Sequence, residues 1–149
     1  MTREEFIEVL EEKGYSYKIK GDKIVVTDKG RVHLNSLKTL PPDVHLNNEG
    51  SVFLNSLKTL PPGVEFNNKD GDVKLGSLKT LHPGVVFNNE GDVYLPSLKS
   101  IPPGVVFNNG EDVNLGSLTG DYFYKWNGLI KGIAPNTLLN GMIKRGIFL

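Results

Sequence analysis

The sequence has no cysteine, and its 149 residues include 17 basic and 17 acidic side chains, which leave no net charge. The lack of cysteine excludes disulfide bonds, thiol catalysis and cysteine-ligated zinc. It also favours a reducing compartment, so we expect a cytoplasmic protein. Because no overall field attracts polyanions, nucleic-acid binding is not expected from composition.

Other common functional signals are missing as well. No apolar run reaches the roughly 20 residues of a transmembrane helix, and residues 1–5 do not resemble a signal peptide, so no membrane association is expected. The glycines do not form a phosphate-binding loop. His33, His45 and His82 have neither metal-ligand spacing nor a partner set for a catalytic triad. We therefore predict no cofactor, no metal and no enzymatic activity.

A repeat of about 20 residues dominates the chain instead. A valine opens each copy, and the spacing between successive copies is 20, 21, 20 and 20 residues. These valines are Val32, Val52, Val73, Val93 and Val113. A period of this length is typical of a solenoid, in which each turn buries its apolar side against its neighbours.

Each repeat contains two short alternating segments separated by a bend. In one copy, Val93 and Leu95 alternate, Leu98 and Ile101 follow at a spacing of three, and Val105 opens the second segment. Alternation places the apolar residues on one face of a strand. The intervening Pro-Pro-Gly favours extended chain followed by a residue with positive φ. The fold class is therefore predicted to be mainly β: a capped parallel β-solenoid of leucine-rich-repeat type, with short N- and C-terminal helices.

The chain is expected to form a single domain, residues 1–149, in three parts. Residues 1–29 are predicted to be an N-terminal cap, with a helix over 2–13 and a hairpin over 15–27. Residues 30–119 hold five repeats. Residues 120–149 are predicted to be an aromatic and helical C-terminal cap, with a helix over 135–145.

The outward positions vary between repeats although the inward ones do not, which is the pattern expected of a core and a presented surface. One outward column contains aromatic residues, which are favoured interface anchors. It comprises His33, Phe53, Lys74, Tyr94 and Asn114. A second candidate surface, Tyr122, Tyr124 and Trp126, lies in the C-terminal segment, where these aromatics serve either as a cap or as a partner-binding patch.

Three further rows recur with the repeat. Asparagine pairs close every turn and are expected to stack or to satisfy turn backbone. A lysine column (Lys38, Lys58, Lys79, Lys99) is either a phosphate-binding ladder or a solvated edge, and the second reading is favoured. Asp72, Asp92 and Asp112 line another edge without the dense oxygen pattern of a calcium site.

The segment from Leu98 to Val105, Leu-Lys-Ser-Ile-Pro-Pro-Gly-Val, resembles the short leucine-rich repeat of bacterial secreted effectors. The chain also resembles small repeat proteins of tailed bacteriophages, which carry Ser-Leu-x-x-Leu-Pro-x-x-Val-x-Phe-Asn-Asn units before a tryptophan-containing C-terminal segment. The resemblance implies a solenoid acting inside an infected bacterium. The chain departs from the effectors in lacking a catalytic domain and the cysteine that effector ubiquitin ligases use.

The function expected from these observations is a non-enzymatic protein-interaction module, with a protein of the bacterial host, such as a defence component, as its partner. One alternative is a structural component or spacer of the virion or tail. A further alternative, an enzyme for a small ligand, requires a pocket with converging polar groups. The oligomeric state is left open.

Overall fold

The structure, a computed structural model, describes residues 1–102 and 104–115. Within these residues the chain forms a mainly β solenoid with one N-terminal helix. The predicted mainly β class and the parallel stacking of 20-residue turns are confirmed. The predicted C-terminal cap and its helix lie outside the described residues.

Helix α1 spans Arg3–Lys13. Its start follows from the capping box predicted by the sequence: the Thr2 hydroxyl accepts a hydrogen bond from the Glu5 N–H, and the Glu5 carboxylate accepts one from the Thr2 N–H. Gly14 ends the helix in the left-handed conformation, at φ 75°. Phe6 and Leu10 on one face are fully buried in the core, so α1 closes the N-terminal end of the solenoid.

A hairpin joins α1 to the repeats. Strands β1 (Tyr17–Lys20) and β2 (Lys23–Val26) pair antiparallel. The next repeat then adds to β2 in parallel, with Ile24 opposite Val44 and Val26 opposite Leu46. The hairpin is therefore an incomplete leading turn. The sequence predicts this, because Ile24 lies eight residues before Val32, as Val44 lies eight residues before Val52.

The repeats form two sheets. The six-stranded sheet has the order β1-β2-β4-β6-β8-β10 and the five-stranded sheet has the order β11-β9-β7-β5-β3. The further strands of the first are β4 (Val44–Leu46), β6 (Glu65–Phe66), β8 (Val86–Phe87) and β10 (Val106–Phe107). Those of the second are β3 (Val32–His33), β5 (Val52–Phe53), β7 (Val73–Lys74), β9 (Val93–Tyr94) and β11 (Val113–Asn114).

The aliphatic residues that recur in each turn fill the space between the sheets, as predicted. Leu34, Leu54, Leu75, Leu95 and Leu115 are all fully buried. Phenylalanines stack along the axis of the solenoid: the rings of Phe66, Phe87 and Phe107 lie 5.1 and 5.0 Å apart and nearly parallel. Each turn therefore buries its apolar face only against the turns above and below it.

The bend before each strand of the six-stranded sheet requires a positive φ. Gly63, Gly84 and Gly104 adopt φ values of 77°, 92° and 91° at the same position in successive turns. In the first turn Asp43 takes this position at φ 60°, which aspartate tolerates better than most residues with a side chain. The positive φ predicted after the proline-rich part of each turn is therefore confirmed.

The two asparagines of each pair serve different partners. The first is exposed or half-buried and bonds its equivalent in the next turn; the Asn67 and Asn108 amide groups donate to Asn47 and Asn88 at 2.9 and 2.8 Å. We call these the outer asparagines. The second, the inner asparagines, are buried and donate to backbone carbonyls. They are Asn48, Asn68, Asn89 and Asn109.

The one 21-residue spacing is accommodated entirely within an asparagine turn. The extra residue lies between Asn68 and Gly71, where the Lys69 and Asp70 N–H groups still donate to the preceding turn, to the Asn48 and Glu49 carbonyls. The strands on either side keep their register. In the part of the chain that the structure describes, no helix has the length and apolar character needed to cross a membrane.

Candidate docking surface on the five-stranded sheet

Parallel pairing brings the predicted outward column together on the five-stranded sheet. His33 lies opposite Phe53, Phe53 opposite Lys74, Lys74 opposite Tyr94, and Tyr94 opposite Asn114. Each residue follows a buried valine, so strand alternation directs all five away from the core. We call these five residues the docking column.

The first two members of the docking column form an aromatic pair. The rings of His33 and Phe53 stack with their centroids 4.5 Å apart and an angle of 6° between their planes. The backbone at this end is also fixed, because the His33 N–H donates to the Tyr15 hydroxyl at 2.8 Å. The pair therefore presents a firmly held aromatic surface beside the N-terminal cap.

The next two members form a cation–π pair. The Lys74 ammonium lies 3.2 Å from the centroid of the Tyr94 ring. The Tyr94 hydroxyl donates to the Asp92 carboxylate at 3.0 Å, and the Lys74 ammonium lies 3.8 Å from the Asp72 carboxylate. These half-buried side chains thus hold one another in one arrangement.

An aspartate lies two residues before each of the last three members of the docking column. We call these residues the aspartate row: Asp72, Asp92 and Asp112. The Asp72 carboxylate accepts the Asp92 N–H at 2.8 Å, and the Asp92 carboxylate accepts the Asp112 N–H at the same distance. At the start of the row, where no earlier aspartate is present, the Asp72 N–H donates to the Ser51 hydroxyl instead, at 3.0 Å. These bonds tie the carboxylates to the solenoid ladder and give the later turns a negative rim.

The aspartate row changes the acidity of the tyrosine beside it. The pKa of Tyr94 is raised to about 12, first because the hydroxyl is partly desolvated, then because it donates to Asp92, and further because Asp92, Asp72 and Asp112 repel the phenolate. Tyr94 is therefore a neutral hydrogen-bond donor at all physiological pH values.

On the other side of the docking column, asparagines bond to the backbone of the following turn. The Asn35 side chain accepts the Asn55 N–H, and the Asn55 side chain accepts the Gly76 N–H, both at 2.9 Å. The column is thus bordered by polar groups that are fixed to the backbone, asparagines beside its first turns and aspartates beside its later ones. Partly aromatic surface with a fixed polar border has the composition of a protein interface.

The structure brings the five column residues together, whereas Tyr122, Tyr124 and Trp126 lie outside the described residues. The aspartate row, which the sequence analysis placed along a separate edge, borders the docking column and bonds directly to Tyr94. The signal that could have shown this is the two-residue separation of Asp92 and Tyr94, since residues i and i+2 of a strand share a face.

Within residues 1–102 and 104–115, no three histidine or acidic side chains lie close enough to hold a metal ion. Comparison of this chain with protein-family models, curated proteins and solved structures gives no match.

Proposed function

We propose that this chain is a non-enzymatic binding module that docks another protein on the outward face of the five-stranded sheet. The observation that carries the proposal is the mutual ordering of the docking column, in which His33 stacks on Phe53 and Lys74 covers Tyr94. When two proteins associate, interface side chains usually lose rotamer freedom, and this loss of entropy weakens binding. Side chains that are already ordered lose less of it on binding.

The proposed partner complements both the aromatic strip and the charge of the face. Phe53 and Tyr94 are half-buried aromatics of the kind that anchor interfaces. The aspartate row makes the later turns negative, so the partner is expected to present lysine or arginine there. The resemblance to small repeat proteins of tailed bacteriophages makes a protein of the infected bacterium, such as a defence component, the proposed partner class.

The size of the face sets the expected strength of the complex. Five strands about 4.8 Å apart give a face roughly 20 Å high, and the extended chain from the aspartate row to the flanking asparagines, about five residues, gives roughly 15 Å of width. The resulting area of about 300 Å² is below the ~800 Å² per partner of a standard interface. We therefore propose a transient complex, or one in which the partner also covers neighbouring parts of the solenoid.

The test combines affinity capture from infected cells with binding measurements on the purified partner. The double substitution Phe53→Ala and Tyr94→Ala should weaken binding about tenfold or more, because it removes two aromatic anchors. The matched control is Val86→Ala with Val106→Ala, which shortens two half-buried side chains on the outward face of the other sheet. The control should bind like the parent protein.

Two results would contradict the proposal. Equal weakening by both double variants, with circular dichroism unchanged, would mean that the five-stranded sheet is not the docking face. Recovery of the chain as a fixed component of purified phage particles, without a captured host protein, would favour the alternative function of a structural spacer.

A further inference from the structure

A row of lysines follows the bend between the two sheets, one in each turn. Lys38, Lys58, Lys79 and Lys99 are all exposed. The backbones of the last three are joined directly: the Lys79 N–H donates to the Lys58 carbonyl at 3.0 Å and the Lys99 N–H to the Lys79 carbonyl at 3.2 Å. We call this row of four the basic edge.

The four described segments that carry the basic edge contain no acidic residue. Residues 35–42, 55–62, 76–83 and 96–102 include lysines but neither aspartate nor glutamate. Four exposed acidic side chains lie across the solenoid, one in each asparagine turn: Glu49, Asp70, Glu90 and Glu111. The zero net charge of the chain thus conceals a separation of charge between two sides of the molecule.

The basic edge has no acidic partner in the part of the chain that the structure describes. Among the described residues, none of its four ammonium groups forms an ion pair with a carboxylate. Like charges on neighbouring strands repel one another. Protection of an open sheet edge does not explain the row, because the backbone of Lys58, Lys79 and Lys99 is already paired within the ladder.

A groove opens beside two of these lysines. Its volume is about 370 Å³, and it is lined by Lys38, Lys58, Ser56 and Ser77. Ammonium and hydroxyl groups are both donors, and together they suit the oxygens of a phosphate group. The four residues come from three successive turns, so the groove runs along the solenoid and parallel to the lysine row.

The strength of each kind of contact decides between acidic occupants. An exposed ion pair with a carboxylate contributes a factor of about five in affinity at most, so four such pairs do not offset the entropy lost on association with an acidic protein or a second copy of this chain. A nucleic acid differs because binding releases the counterions condensed along its phosphates. A membrane surface also requires an apolar anchor for stable binding. The exposed large hydrophobic residues among those described, Met1 and Ile19, lie in the N-terminal cap.

We propose that the basic edge binds a single-stranded nucleic acid through its phosphates, without reading the bases. A flexible single strand can fit its phosphates to long lysine side chains whose backbones are about 4.8 Å apart, the spacing of parallel strands. The four segments around the basic edge contain no phenylalanine, tyrosine or tryptophan and a single histidine, His82, so there is no row of aromatic side chains on which successive bases could stack. Composition argued against nucleic acid only because it sums charges that the fold separates.

The test measures how the binding of a short oligothymidylate to the full chain depends on salt concentration, starting from low ionic strength. Binding is monitored through the amide chemical shifts of the protein. Four phosphate contacts predict a slope of log K against log salt of about −3, and Lys58→Gln with Lys79→Gln should reduce it to about −1.4. The matched control, Lys18→Gln with Lys69→Gln, changes the net charge equally but lies off the basic edge. It should keep the parental slope.

Further measurements distinguish single-stranded nucleic acid from other anionic ligands, and the basic edge from the docking column. Phe53→Ala with Tyr94→Ala should bind the oligonucleotide unchanged. No binding at low salt, or equal loss in the two lysine variants, would overturn the proposal. So would equal binding of polyglutamate or phosphatidylserine vesicles at matched charge, whereas a duplex that binds more tightly than the single strand would overturn the single-strand assignment.

Discussion

Asn89 illustrates how one side chain joins two neighbouring turns of the chain. Its amide group donates to the Gly71 carbonyl of the preceding turn at 3.1 Å and to the Asp92 carbonyl at 3.2 Å. Its own oxygen has no hydrogen-bond partner among the described residues, and the other inner asparagines share this property. The unpaired oxygen is unfavourable, and the two bonds to buried carbonyls offset that cost.

Replacement of Asn89 by alanine should lower the free energy of unfolding by about 2 kcal/mol, because two carbonyls lose their donor while one unpaired oxygen is removed. Asn88→Ala removes an exposed amide and should cost less than about 0.5 kcal/mol. Urea unfolding of both variants measures the difference. Equal costs would mean that the inner and outer asparagines are not distinct.

Tyr94 should make the stability of the fold depend on pH in the alkaline range. The pKa of its phenol is raised on folding from the ordinary value of 10.0 to about 12, so folding favours the protonated form. The stabilisation is complete below pH 10 and is lost as the pH rises from 10 towards 12. Relative to Tyr94→Phe, the parent protein should therefore lose unfolding free energy over that interval.

The measurement is urea unfolding of both proteins at several pH values. Ultraviolet difference absorbance between them should place the titration of Tyr94 above that of an ordinary tyrosine. A parallel decline of the two proteins, or an ordinary titration, would show that Asp92 and its neighbours do not act on this hydroxyl.

The inner and outer asparagines could have been told apart from the sequence alone. Along the second segment of a turn, Val44 faces inward, His45 outward and Leu46 inward, so alternation predicts Asn47 outward and Asn48 inward. The contact of Lys74 with Tyr94 could not be derived in this way. A lysine on this face can reach several neighbours, and their relative energies decide which one it contacts.

At the scale of elements, most strands of the repeats contain only two residues. Such strands are too short to be stable alone, and a two-stranded hairpin is itself marginal in water. Their order comes from stacking on both sides and from the buried residues between the sheets. The positions of the elements could be predicted from the sequence because the same inward residues recur in every turn.

Leu95→Ala should lower the free energy of unfolding by about 2–5 kcal/mol, because it leaves a cavity in a fully buried position between two sheets. Lys99→Ala, four residues later on the exposed bend, should cost less than about 0.5 kcal/mol. Chemical denaturation of the two variants decides. Similar losses would contradict the assignment of inward and outward positions.

At the scale of the whole molecule, contacts between neighbouring turns dominate, so stability should be roughly additive over turns. The N-terminal closure was predictable from the capping box and the apolar face of α1. The lysine column and the aspartate row could be assigned to different edges from the repeat register, whereas net charge and composition contain no positional information. Stacking of the turns adds that the basic edge lies on one side of the solenoid and the exposed acids of the asparagine turns, Glu49, Asp70, Glu90 and Glu111, on the other.

Deletion of residues 71–90 should remove one turn and leave a folded protein. The new junction, Asp70 to Gly91, restores the local sequence Lys-Asp-Gly-Asp-Val that follows Asn68 in the parent chain. The variant should keep a β-type circular dichroism spectrum and one cooperative transition. Its dependence on urea concentration should be weaker, because less surface is exposed on unfolding.

The control deletion, residues 71–80, removes about half a turn and places Leu81 directly after Asp70. Segments of one sheet would then fall at positions of the other, and the apolar stacks would be broken. Cooperative unfolding of this variant with parental stability would contradict the one-dimensional stacking.

The extra residue between Asn68 and Gly71 has a consequence for the design of new proteins. Since the chain lengthens there without shifting β6 or β7, this loop is a natural insertion point for a foreign peptide or an affinity tag. A cargo grafted between Lys69 and Asp70 would project from the acidic side, away from the basic edge. The solenoid could then serve as a rigid display scaffold.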